Sequence, residues 1–102
     1  MNYIYHIVLP DSWAKQGNAD TYQHESLETE GFIHLSYAHQ IEGVLQRYYI
    51  GVEKILILKI NPNLLTAQLL VEASTAGALY PHLYGVLNKT AIESIEERFL
   101  NQ

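Results

Sequence analysis

Three histidines and a glutamate sit inside apolar, strand-like stretches: His6 in YIYHIVL, His34 in GFIHLS, Glu72 in LLVEA and His82 in PHLYG. Imidazole is the side chain whose ordinary pKa lies nearest neutrality, so it can take up and release protons at working pH. A carboxylate can stabilise positive charge that develops as a bond breaks. Strand side chains alternate between faces. In GFIHLS, Ile33 and Leu35 therefore share one face, suited to a core, while Phe32, His34 and Ser36 share the other. By the same rule His6 goes with Ile4 and Val8, His82 with Tyr84, and Glu72 with Leu70. Convergence of these faces would build one concave site. Its catalytic candidates are His6, His34, His82 and Glu72, and its ligand-binding candidates include Phe32, Ser36 and Tyr84.

Each residue also has a packing role open to it. A buried His6 can stay neutral while bonding a carbonyl. Ser36 can cap the helix that follows. Tyr84 can cover the core with its hydroxyl at the rim, and Glu72 can pair with a surface lysine. His34, mid-strand beside a second polar side chain, is the strongest single candidate. His24 and His39 receive no role. Three histidines and a glutamate also suit zinc, but the histidines stand 28 and 48 residues apart and form no local ligand motif.

The elements that must position these groups fit one domain over residues 1–102. Nearly half the residues are apolar and 17% are charged, a globular composition. Without cysteine there is no disulfide, thiolate metal site or thiol nucleophile. The net charge is −5, and the six basic residues, Arg47 among them, are scattered. That spread argues against coating a nucleic acid, yet leaves room for one small phosphorylated ligand held by Arg47 and backbone amides. No apolar run approaches a membrane span and the N-terminus makes a poor signal peptide. A soluble cytoplasmic protein is expected.

Residues 3–9 read as a strand, residues 11–16 as a short helix, and residues 17–30 as a polar loop anchored by Tyr22 and Leu27. A second strand spans 32–36. Ile41, Val44, Leu45 and Tyr48 mark the apolar face of a helix over 38–49. The run ILILKI at 55–60 reads as a central strand covered on both faces. Further strands are expected at 68–73 and 82–87. In the tail, Thr90 and Glu93 form a capping-box pattern, so the local reading of residues 90–99 is a helix. The class is α+β.

The motifs IYHIV, SLETEGFIHLS, Gln40 and YPHLYG resemble those of the domain-of-unknown-function 952 family, a set of small bacterial proteins, over nearly the full length. GFIHLS and PHLYG at this separation are the specific part. Trp13, Tyr22, Ser26, Leu27 and Glu72 also fall where family residues are expected, which adds Tyr22 to the ligand-binding set. The resemblance implies an ADP-ribosylation-like fold: two abutting, mainly antiparallel sheets with one long and one short helix, and a tail that is a strand. It implies chemistry on NAD, with His6 on the ribose side, His34 on the nicotinamide side, and Glu72 or Glu93 as carboxylate. The arginine-rich phosphate cradle of the RNA 2′-phosphotransferase branch is not seen in this sequence.

Three functions follow as expectations. The first is a histidine-lined cleft that binds or processes NAD, ADP-ribose or a related nucleotide, with an ADP-ribosyltransferase-like activity. The second is a non-catalytic module for a small metabolite or a protein partner. The third is a His/Glu metal site.

Overall fold

The ILILKI run lies where a two-faced apolar strand must lie. Strand β5 (Lys54–Ile60) is interior to a four-stranded sheet, flanked by β1 (Ile4–Val8) and β9 (Ile92–Phe99). Leu56, Leu58 and Ile60 join the larger core, while Ile55 and Ile57 pack on the other side of the sheet with Ile41 and Leu45 of helix α3 (Ile41–Tyr48). The computed structural model describes residues 2–100. It is α+β, and every strand pairing described is antiparallel.

The remaining elements are α1 (Pro10–Ala14), β2 (Thr21–Tyr22), α2 (Ser26–Thr29), β3 (Ile33–His34), β4 (Ser36–Tyr37), β6 (Gln68–Ala73), β7 (Leu79–Tyr84) and β8 (Leu87–Asn88). The first sheet has the order β4-β1-β5-β9, a second the order β3-β7-β6, and β2 pairs with β8. The expected second strand is thus two strands in two sheets. Its residues 33–34 pair with β7, while Ser36 at its end pairs with β1 together with Tyr37, one residue beyond the expected strand. Leu35 is the joint, and its N–H still donates to the Pro81 carbonyl at 3.0 Å. One extended segment therefore abuts two sheets, and its alternation survives the change: Ile33 and Leu35 are buried in the larger core.

Other expectations shift for local physical reasons. Pro10 opens α1, where its missing N–H costs no helical bond. The expected helix over 38–49 begins as a 3-10 turn at Ala38–Gln40 before α3. The polar stretch 17–30 is not structureless: it holds β2 and α2. Helix α2 ends at Gly31, whose φ of +87° a side-chain-bearing residue rarely adopts. The tail is a strand, as the family likeness implies, and not the helix of the capping-box pattern. The Thr90 hydroxyl accepts from Asn88 Nδ2 at 2.7 Å, and β9 pairs with β5 from Phe99 to Ile92. Long-range pairing overrides the local signal.

Candidate functional site

A cavity of about 780 Å³ opens where the two sheets part. Residues from β1, β3, β4, α3 and β7 line it, together with the turn between β6 and β7. The alternation rule delivers Phe32, His34 and Ser36 to its wall, with His6 and His82. Arg47 stands there too, and its Nη2 donates to the Tyr80 hydroxyl at 2.8 Å.

The central pair is His34 and His82. They are direct cross-strand partners of β3 and β7, with ring centroids 5.5 Å apart. Phe32 stacks on His82 at 4.1 Å and meets His34 edge-on at 4.8 Å. Each imidazole is tied to a carboxylate. His34 Nε2 donates to Glu30 Oε2 at 2.9 Å, and His82 Nδ1 donates to Glu72 Oε1 at 2.8 Å.

Glu72 does not itself line the cavity; it stands behind His82. Tyr84 also stands off the cavity and donates to the same Glu72 oxygen at 2.6 Å. Hydrogen bonds from Tyr84 and then His82 hold the Glu72 carboxyl below its usual range, and the bond to Glu72 pushes the Tyr84 phenol up. Glu93 lies on β9 and accepts from Asn61 Nδ2 at 3.4 Å, away from the cavity. Of the two expected carboxylates, only Glu72 touches a site histidine.

His6 forms a buried part of the wall. Its Nδ1 donates to the His34 carbonyl at 2.9 Å, which fixes the tautomer, and its Nε2 accepts from the Tyr22 hydroxyl at 2.9 Å. Burial pushes its pKa down to about 4, so the ring is neutral near pH 7. Tyr22 is fully buried against His6 and Trp13, and burial pushes its phenol well up. It borders a smaller polar cavity of about 220 Å³ and not the main one. Ser36 is buried in β4 and does not cap the helix.

Sequence reasoning missed two residues. His24 lines the cavity, with Nδ1 accepting from the Ser26 N–H at 3.1 Å, and burial lowers its pKa. Glu30 also lines it. The spacing Glu30-x-x-x-His34 was visible, but it pairs side chains only because α2 ends at Gly31 and the chain turns into β3. Among the described residues, no group of three or more His, Cys, Asp or Glu side chains is placed to hold a metal ion. No helix among them is long and apolar enough to cross a membrane.

The pattern of a protein family of unknown function, DUF952, matches residues 7–95, a span that holds His34, Glu72 and His82. The chain belongs to the DUF952 family. Three solved structures are similar to it over nearly its whole length, all of protein CC0527 from Caulobacter crescentus. A crystal structure is 27% identical, covers 97% of this chain and 86% of that one, and superposes with a TM-score of 0.81. A crystal structure of a double mutant is 26% identical at the same coverage, with a TM-score of 0.80. The solution structure is 25% identical, with 99% and 88% covered and a TM-score of 0.78. The fold of this chain is thus seen in solved structures. No curated protein matches the chain.

Proposed function

We propose that the cavity binds or processes NAD, ADP-ribose or a related small nucleotide, on an ADP-ribosyltransferase-like architecture. The observation that carries this reading is the cavity where two sheets abut, with His6, His34 and His82 in one wall and Arg47 in another. Its volume is of the size of small-molecule sites, roughly 300–1,000 Å³. Phe32, Tyr48, Tyr49 and Tyr80 supply aromatic surface for a base or nicotinamide ring. Arg47 supplies one guanidinium for a phosphate. The net charge of −5 disfavours long polyanions and is compatible with a ligand of one or two phosphates.

Isothermal titration calorimetry and melting shifts with NAD and ADP-ribose test the reading. Saturable heat and a raised melting temperature are expected, both weakened in Arg47→Ala. No heat and no shift at millimolar ligand would overturn it.

A further inference from the structure

We propose that His34 and His82 are a proton-transfer pair, held in opposite tautomers by Glu30 and Glu72, that cleaves the phosphodiester of a small ribonucleotide. This rests on the nucleotide-binding reading above, and it places the reacting bond in a 3′-phosphodiester beside a free ribose 2′-hydroxyl, a group that NAD and ADP-ribose lack.

The tautomers follow from the partners. A carboxylate only accepts, so His34 carries its proton on Nε2 toward Glu30, and His82 carries its own on Nδ1 toward Glu72. The opposite ring nitrogens, His34 Nδ1 and His82 Nε2, have no partner among the described residues. Two imidazoles with centroids 5.5 Å apart can flank a single reacting phosphorus, one on the attacking side and one on the leaving side. The guanidinium belongs to the same arrangement. Arg47 is hydrogen-bonded to Tyr80, which lies two residues before His82 on β7, on the same face and about 6.5 Å along the strand. It is placed for a non-bridging phosphoryl oxygen.

A paired acid and base suits a diester better than the glycosidic bond of NAD. Nicotinamide departs as a neutral base and needs no proton, whereas an alkoxide leaving phosphorus needs one. The exposures assign the roles. His82, 8% exposed, is the base deep in the wall, and His34, its side chain 54% exposed, is the acid at the mouth. In the step, the ribose 2′-oxygen bonds to phosphorus as its proton passes to His82 Nε2. The phosphorus–O5′ bond breaks, its electron pair leaves with O5′, and the imidazolium form of His34, which carries a proton on Nδ1 besides the one on Nε2 shared with Glu30, gives the Nδ1 proton to that oxygen and becomes the neutral tautomer. The products are a 2′,3′-cyclic phosphate and a nucleoside, with no co-reactant consumed. Glu30 and Glu72 are positioning residues.

The test compares two substrates: the dinucleotide ApA, whose leaving group needs a proton, and adenosine 3′-(4-nitrophenyl phosphate), whose leaving group does not. Cleavage of both by the wild type is expected. His82→Gln should lower kcat/KM about 100-fold on both. His34→Gln should lower it about 100-fold on ApA while leaving the nitrophenyl ester within a few-fold. An equal loss on both substrates for His34→Gln overturns the pair. Glu30 is half exposed, so Glu30→Ala should fold; it should lose ApA cleavage that Glu30→Gln largely restores, and an unchanged rate in Glu30→Ala overturns its role. Calorimetry with ADP-ribose separates the two levels. ADP-ribose bound with ApA uncleaved overturns the proton-transfer pair alone, ADP-ribose unbound with ApA cleaved overturns the NAD and ADP-ribose reading alone, and neither bound nor cleaved overturns both.

Discussion

The Nδ1 of His6 donates to the carbonyl oxygen of His34 at 2.9 Å, and the two residues belong to different sheets. The bond ties β1 to the chain at the place where β3 is still paired with β7 and β4 has not yet joined β1. The same ring accepts from the buried Tyr22 hydroxyl through Nε2. One neutral imidazole thus satisfies two polar groups and fixes the backbone of His34, the residue that faces the cavity.

Removal of that ring should be expensive. His6→Ala would leave the fully buried Tyr22 hydroxyl without its acceptor and the part-buried His34 carbonyl without its donor. An unsatisfied buried group costs about 1–3 kcal/mol, and the lost ring leaves a void besides. We expect a loss of roughly 2–4 kcal/mol in urea unfolding. A loss within about 0.5 kcal/mol, the range of ordinary surface changes, would show that the bridge contributes little.

The same burial makes stability depend on pH with a definite sign. The unfolded chain carries His6 near its ordinary pKa of 6.5, while the folded one lowers it to about 4. As pH falls through 6.5 the unfolded state takes up the proton first. The stabilisation is complete above that pH and declines until about pH 4, for a total of roughly 3 kcal/mol. His24, lowered by its own burial, adds to the same window. Glu72, also lowered, contributes stability present above its ordinary value of 4.5 and lost only below it. Urea melts at about pH 7.5 and about pH 5 should therefore differ clearly, and less so in His6→Gln. Equal pH slopes in the two proteins would assign the dependence elsewhere.

A third expectation concerns the carboxylate behind His82. The Tyr84 hydroxyl, 2.6 Å from Glu72 Oε1, is the main reason the carboxyl lies below its usual range, with His82 second. Tyr84→Phe removes the donor and leaves the ring. The Glu72 side-chain carbon signal, followed by NMR through an acid titration, should then move its midpoint up toward the ordinary carboxylate value. An unmoved midpoint would mean that His82 alone holds the carboxylate. The variant should also leave His82 less firmly oriented, visible as broadening of its ring signals.

The sequence made the local geometry legible and hid what depends on long-range pairing. Alternation in GFIHLS placed Ile33 and Leu35 in the core and Phe32, His34 and Ser36 at the cavity, because side-chain parity is a property of the strand itself. The double-faced burial of β5 followed from its unbroken apolar run. The change of sheet at Leu35 had no local signal, since a residue in extended conformation looks the same whichever strand it pairs with. Glu30 was missed because its reach to His34 depends on the turn at Gly31, and His24 because its loop holds an unforeseen helix. In the tail, Thr90 and Glu93 spelled a helix start that pairing of β9 with β5 overruled. Histidine type identified the wall; only the fold showed that His6 braces it while His34 and His82 face each other.

The close of the PHLYG motif gives the last expectation. Gly85 has a φ of +155°, and a Cβ built on it would lie 2.8 Å from the Cβ of Ala67, closer than side chains approach. The obstacle is the only side-chain carbon of a short residue, so it cannot swing aside, and backbone must move instead. That backbone carries Tyr84, paired with Gln68 across β6 and β7. Gly85→Ala should cost about 1–3 kcal/mol in thermal unfolding. It should also loosen the Tyr84–Glu72–His82 chain. Ala67→Gly made together with Gly85→Ala removes the clash and leaves the strained φ, so the double variant should recover part of the loss. If the double variant is no more stable than Gly85→Ala alone, the constraint at this glycine is conformational and not the close approach of the two strands' ends.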